Sequence, residues 1–391
     1  MNIAGIFLNN EIRTGGHTRY LELMDGLAAR GNRVAVLLNS DLAYAPTGAL
    51  PIRAPVRYRR RSFPPASWLF RAAARRWAPE MRRCLESPDA VVVYGETHLG
   101  AGARLARELR VPLIYGQRSN SVREALTYLS EPGNPLPKRF GFLRDLLKAF
   151  LEERRIAAAA DLIVFQSPYD QDDFLARRPR VNGKVTVIRG DISGPRFLAE
   201  YSAVSRSVNL RRVAFVGNLG IRKGVDYLVE AIILLAGREI PGLSFEICGP
   251  GERLPELRQR LARAGINDRV HFAGRIPSSF PVLAASDLLV VPSLFDSYPN
   301  TILEALHVGT PVIGSRVGGI PDMLRHEVLL FPPMDARAIA DRIEKAVREP
   351  AFYGRLRELC AKRRAAFQFD WSEAWEAAIR RRLAAMGRAP A

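Results

Sequence analysis

The sequence predicts an α/β protein of two consecutive domains, each a parallel sheet covered by helices on both faces. Three observations carry this. At 391 residues the chain is too long for one ordinary core. Short apolar runs alternate with amphipathic stretches through most of its length. The alternation occurs twice, on either side of a polar, aperiodic segment, FLAEYSAVSRSVNL, at residues 197–210. A hydrophobic share of 48% with 25% charged residues is enough to fill two cores.

In the first half the strand-like runs are Ile3–Leu8, Arg33–Leu38, Ala90–Tyr94, Val111–Tyr115, Leu162–Gln166 and Val185–Ile188. Between them, stretches such as Thr18–Arg30 and Gly102–Leu109 carry helical spacing. In the second half the runs are Arg212–Val216, Ser244–Cys248, Val270–Phe272, Leu288–Val291, Pro311–Gly314 and Val328–Phe331. Helices are expected at Gly224–Ala236, Leu254–Ala264, Pro299–His307 and Ala336–Arg348. Strands joined by crossover helices give parallel sheets. Two such sets predict two Rossmann-like domains, at residues 1–200 and 206–365. A last helical piece, 366–391, anchored by Phe369, Trp371 and Trp375, is expected to cross back to the N-terminal domain.

The formal charge of +18 favours an anionic partner: phosphate-bearing substrates, an anionic membrane face, or nucleic acid. Only six of the 58 basic residues are lysines, so arginine supplies nearly all of the charge. A GC-rich or heat-adapted source would explain arginine usage but not the net excess. Pro51–Arg83 concentrates ten arginines against one acid, Glu80, with Tyr58, Phe63, Trp68, Phe70 and Trp77 interleaved. That composition suits an amphipathic element at an anionic lipid interface. It equally suits a solvated basic face with its aromatics turned inward. No recognised nucleic-acid module accompanies it, which disfavours nucleic acid.

Three distant cysteines (Cys84, Cys248, Cys360) show no metal or redox spacing and predict a reducing compartment without disulfides. The opening MNIAGIFL is too short for a signal peptide and reads as a first buried strand. No stretch approaches the roughly 20 apolar residues of a membrane span. The expected location is the cytoplasm, soluble or attached to the membrane surface.

Ligands of parallel sheets settle beyond the strands' carboxyl ends, where helix N-termini present free N–H groups. Gly15-Gly16 follows the first strand, although a plain strand-to-helix turn would look the same. It is not the G-x-G-x-x-G fingerprint, so a dinucleotide cofactor is disfavoured. Phe215–Gly224, FVGNLGIRKG, runs a buried strand into a Gly-rich loop carrying Arg222 and Lys223. Two cations beside a helix start make a diphosphate seat. The richest segment is Ser293–Leu324. There a strand leads into a loop holding Asp296, Pro299 suits the first turn of a helix, and Glu304 follows about one turn in. Two carboxylates can accept hydroxyl hydrogen bonds from two sugar rings, and amides between them can meet phosphate oxygens.

These residues resemble the retaining glycosyltransferases of family 4, of the GT-B fold, in which two Rossmann-like domains face a central cleft. The motif is P-S-x-x-E-x-x-P-x-x-x-x-E-A, met here by Pro292, Ser293, Asp296, Pro299, Glu304 and Ala305. Gly309, Pro311 and Val317-Gly318-Gly319-Ile320-Pro321 also match. The resemblance is strong over about 211–350 and looser before that. It implies a catalytic set of Asp296, which contacts the transferred sugar, Lys223, which binds phosphate, and Arg118 from the N-terminal half. His98, at the carboxyl end of the preceding strand, is counted with this set, although a structural role suits a lone histidine there equally. The resemblance implies a substrate-binding set of Gly15, Gly16, Asn218, Arg222, Arg275, Ser297, Tyr298, Pro299, Asn300, Thr301 and Glu304. Within that set Glu304 holds the ribose, Arg275 lies near the base and the 299–301 helix start meets the donor phosphates.

Three positions depart from the family pattern. Asp296 replaces a glutamate, Asn218 replaces an arginine that Arg222 could compensate, and Arg118 stands where a histidine is common. Arginine binds oxyanions but cannot shuttle a proton near neutral pH.

The resemblance further implies a nucleotide-diphosphate sugar donor, a glycan or lipid-linked acceptor, and retention of configuration without a required metal or cofactor. Two alternatives remain at this point: a catalytically silent carbohydrate- or lipid-binding relative, and a sugar-nucleotide epimerase of similar build.

Overall fold

The computed structural model describes residues 1–12, 15–57, 66–131, 136–192, 197, 209–238 and 240–388, with 136–139 described by backbone alone. Its contacts divide the chain into two units. The first takes Met1–Asn120, Leu147–Arg189 and Asp370–Ala391, and the second takes Ser121–Leu146 and Gly190–Phe369.

The first unit carries a seven-stranded sheet: β1 (Asn2–Phe7), β2 (Arg33–Asn39), β3 (Leu50–Ala54), β4 (Ala90–Tyr94), β5 (Leu113–Gly116), β6 (Leu162–Phe165) and β7 (Val185–Val187), in the order β3-β2-β1-β4-β5-β6-β7. All pairings are parallel. The central strands are continuous runs of Val, Ile and Leu because helices bury both of their faces. β3 has no counterpart among the expected strands. It reads LPIRA, and the sheet accepts its proline because β3 lies at the edge. The first helix begins at Gly15 rather than near Thr18, so both glycines belong to its first turn. Tyr20 from this helix takes the Ile6 N–H at 2.7 Å and donates to Val92 O at 2.8 Å, tying β1 to β4. The last helix, Trp371–Ala385, packs in this unit. Arg30 bridges Asp370 at 2.8 Å and Glu376 at 2.7 Å, while Arg19 lies 4.1 Å over the Trp371 ring.

The second unit holds β8 (Arg212–Val216), β9 (Ser244–Cys248), β10 (Val270–Gly274), β11 (Leu288–Val291), β12 (Val312–Ser315) and β13 (Leu330–Phe331), in the order β10-β9-β8-β11-β12-β13. These strands too are all parallel. Their carboxyl ends therefore share one edge, and the order reverses between β8 and β11, which opens a crevice there. Residues 121–146, expected with the N-terminal domain, pack in this second unit. Glu131 accepts from the Tyr227 hydroxyl at 3.1 Å, fixing the end of the helix Ser121–Ser130. Residues 58–65, including Tyr58, Arg59, Arg60, Arg61 and Phe63 of the basic stretch, lie outside the described residues, as does 198–208 of the interdomain segment. No described helix is long and apolar enough to cross a membrane.

Candidate active site

The crevice at the second sheet's switch point is built from the loops that leave β8 and β11. After β8 the chain makes a short turn, Ile221–Lys223, and enters the helix Val225–Ala236 through Gly224. Gly224 has φ +63°, and a Cβ there would lie 1.9 Å from the Pro292 carbonyl oxygen. Glycine is thus what lets the turn press against the exit of β11. Leu294 N–H completes the seam by donating to Arg222 O at 2.8 Å. On the opposite side Gly319 N–H donates to Asp296 O at 3.0 Å. Gly318, at φ +53°, comes so close that a Cβ would stand 2.0 Å from that oxygen. The backbone of Asp296 is therefore held from both sides.

Asp296 as a whole is 6% exposed, and its carboxylate is ion-paired with Lys223 Nζ. Arg222 reaches the same carboxylate at 3.7 Å, lies 3.4 Å from Glu124 Oε1, and donates to Phe295 O at 3.4 Å. Burial opposes ionisation of Asp296, yet the two cations outweigh it and hold its carboxyl below the ordinary value. Lys223 shifts the other way. Burial, with Arg222 repelling it, outweighs Asp296 and lowers its ammonium below the usual lysine value. One carboxylate shared by two cations explains the asymmetry.

The loop's Ser297, Tyr298 and Pro299 are buried. Pro299, in extended conformation, is the cap of the helix Asn300–Val308, which starts one residue later than expected, and no side chain caps the helix start. The amides of Asn300 and Thr301 head a nine-residue helix that ends on Gly309 at φ +78°. Glu304 lies one turn in and accepts from Ser279 Oγ at 2.7 Å. Asn218 and Arg275 are exposed on the loops after β8 and β10, at the same edge of the sheet.

The N-terminal residues gather in the first unit. A Cβ on Gly16 would lie 2.4 Å from Arg118 Cδ, so that glycine makes room for the arginine. Gly15 is exposed at the helix start. His98 is 3% exposed, and its Nε2 accepts the Leu8 N–H at 3.0 Å. Its ring stacks 5.4 Å from Phe7 and 5.3 Å from Phe70. Burial, with His17 and Arg118 adding to it, lowers its pKa to about 3.

Two family models match the chain. One, described as a glycosyl transferase 4-like domain, covers residues 14–190; the other, glycosyl transferases group 1, covers 211–349 and with it the whole β8–β11 site. The chain belongs to the group 1 glycosyl transferases.

Among curated relatives, mannosylfructose-phosphate synthase of Agrobacterium fabrum is 23% identical over 337 residues, covering 80% of this transferase and 73% of that protein. The 2-deoxystreptamine N-acetyl-D-glucosaminyltransferase of Streptomyces fradiae is 35% identical over 140 residues, which is 34% of this chain and 33% of the relative. Of solved structures, sucrose-phosphate synthase from Thermosynechococcus elongatus superposes with a TM-score of 0.76 at 21% identity, over 98% of this chain and 99% of that one. Anabaena HepE, in complex with UDP and glucose, gives 0.70 at 19% identity over 99% of each. These likenesses establish the GT-B type of fold for this transferase.

Sequence reasoning missed Glu124, Tyr128 and Ser279. Tyr128 and Glu124 both act electrostatically on Arg222. No sequence pattern ties a helix of the first half to a loop some hundred residues later. Ser279 follows Arg275 by four residues and could have been singled out only with the β10 loop already in place.

Proposed function

We propose that the chain is a retaining glycosyltransferase that takes a nucleoside-diphosphate sugar in the β8–β11 crevice and transfers the sugar to a glycan or lipid-linked acceptor. The observation that carries this reading is the pairing of Lys223 and Arg222 on one buried carboxylate, Asp296, beside the uncapped start of the helix bearing Glu304. Asp296 and Glu124 balance the two cations, so a diphosphate would recruit Lys223 and Arg222 in competition with Glu124. The amides of Asn300 and Thr301 add donors for its oxygens. Asp296 and Glu304 then offer acceptors for hydroxyls of the sugar and the ribose. Ser279 orients Glu304, and Arg275 and Asn218 frame the base side.

Support also comes from the relatives. HepE has been captured with UDP-glucose, at a TM-score of 0.67. A lipopolysaccharide core biosynthesis glycosyltransferase, LpsE of Rhizobium meliloti, is 33% identical over 148 residues, 37% of this chain and 42% of that protein.

In the proposed reaction the bond from the anomeric carbon to the diphosphate oxygen breaks. Lys223, Arg222 and the helix amides stabilise the charge that develops on the leaving group. The acceptor hydroxyl attacks from the face the diphosphate leaves, and its proton passes to the departing phosphate oxygen. Arg118, packed on Gly16, is assigned to binding oxyanions of the acceptor or donor. His98 is left out of the chemistry, because its acceptor nitrogen is committed to Leu8 and its ring is enclosed by Phe7 and Phe70.

The test is release of free nucleoside diphosphate from a panel of UDP-, GDP- and ADP-sugars. One donor should be hydrolysed slowly in water, and Glu304→Ala should abolish the release. A wild-type protein that turns over no donor, with or without glycan acceptors, would favour the silent relative. A trapped covalent glycosyl-enzyme would overturn same-face attack.

A further inference from the structure

A second cationic site lies in the first unit, on the outer faces of two of its helices. The helices Ala66–Leu85 and Leu99–Leu109 pack side by side, and their outer faces enclose an open hollow of about 680 Å³. Trp68, Arg71, Arg75, Arg76, Arg104 and Arg107 line it. These side chains lie outside the hydrophobic core of the unit. The inward face of the first helix is made by Phe70, Ala74, Ala78, Met81 and Leu85, all buried. Among the described residues, the one carboxylate ion-paired with any of the five arginines is Glu108, which meets Arg104 at 2.6 Å. A second hollow of about 500 Å³ continues from Arg75 toward Arg82 and Arg83, again with Glu108 as its single acid. The cationic surface is therefore broader than one phosphate group needs. At its rim the Trp68 ring is 53% exposed.

We infer that this face docks the protein on an anionic phospholipid bilayer. The arginines take headgroup phosphates by charge-assisted hydrogen bonds. Trp68 enters the interfacial zone, where an amphipathic ring with an N–H is at home. A free phosphate would fill one corner of the hollow and leave most of the cations unneutralised, whereas a sheet of headgroups meets them all. The assignment adds Arg104 and Arg107, from a different helix, to the basic stretch read from the sequence. It stands independently of the β8–β11 chemistry.

The test is cosedimentation with vesicles of phosphatidylglycerol and phosphatidylcholine, against phosphatidylcholine alone. The protein should bind the anionic vesicles, release as salt rises, and show a blue shift in tryptophan emission that Trp68→Phe removes. Each arginine near an anionic surface is worth roughly a fivefold gain in partitioning. Replacing Arg71, Arg75, Arg104 and Arg107 together by Gln should therefore lower binding at least ~10-fold, with an unchanged thermal melt. A control that removes the same charge elsewhere, Arg263, Arg337, Arg348 and Arg355 to Gln, should bind like the wild type. No binding by the wild type, an equal loss in the control, or no loss in the first variant would each overturn the assignment. Binding of inorganic polyphosphate that survives while vesicles are ignored would do so as well.

Discussion

Replacing Lys223 by Met probes the centre of the site through stability and needs no substrate. Asp296 and Lys223 have side-chain exposures of 9% and 18%, so the substitution strands a carboxylate in a nearly dry crevice. Losing one partner of a buried pair costs about 3–5 kcal/mol. Arg222, still 3.7 Å away, keeps the loss at the lower end, about 3 kcal/mol. The double variant Lys223→Met, Asp296→Asn removes both charges and should cost less than the single one.

The pH dependence has a definite sign. In the wild type the Asp296 carboxyl is held below its unfolded value, so its contribution is complete above that value and is lost as acid titrates the folded group. In Lys223→Met burial prevails and raises the same carboxyl, so the penalty is largest near neutrality and fades as pH falls. Urea denaturation at pH 7 and pH 5 measures both, and the gap between wild type and variant should narrow at the lower pH. A cost under about 1 kcal/mol, or a double variant no more stable than the single, would refute the idea that this pair is buried and coupled.

Further outcomes follow from neighbouring contacts. Glu124 lies 3.4 Å from Arg222 and would compete with an incoming phosphate, so Glu124→Gln should tighten nucleoside-diphosphate binding about fivefold by calorimetry, a gain of roughly 1 kcal/mol. Ser279→Ala removes the hydrogen bond that orients Glu304 and should weaken binding of the nucleoside diphosphate about tenfold, while binding of pyrophosphate alone stays unchanged. Gly224→Ala combines positive φ with a clash on Pro292 O and should destabilise the second unit by about 2–4 kcal/mol in thermal unfolding. His98, with its pKa lowered to about 3, stays neutral in the folded chain while the unfolded chain protonates below about 6.5. It should cost the protein about 1.4 kcal/mol of stability for each pH unit below that point, a slope that His98→Gln removes while leaving donor turnover intact.

The strands were legible because both sheets are parallel and doubly covered, which turns each strand into an unbroken apolar run bounded by loops. β3 escaped for the complementary reason. As an edge strand of five residues with Pro51 and Arg53 it shows no such run. The candidate site was legible as separate motifs. The Arg222-Lys223 loop and the Asp296–Glu304 segment each declared phosphate and sugar chemistry, but their meeting was not written in either. It depends on β8 lying beside β11, and on Gly224 and Gly318 letting backbones approach where any side chain would intrude. Glu124 was hidden further still, since nothing in the residues around Asn120 marks a passage from one unit to the other. His98 is a residue for which the sequence left a chemical and a structural reading equally open. A histidine near a strand's carboxyl end invites a chemical role, whereas its burial between Phe7 and Phe70 and its bond to Leu8 depend on tertiary packing that no local pattern reveals.

The measurement that addresses the donor site most directly is isothermal titration calorimetry of UDP, GDP and ADP against the wild type, Lys223→Met and Glu304→Ala. One nucleotide should bind the wild type in the micromolar range, with affinity reduced at least ~30-fold in each variant, a loss of about 2 kcal/mol for one charge-assisted contact. Equal affinity in all three proteins, or no heat from any nucleotide with the folded wild type, would contradict a donor held between β8 and β11.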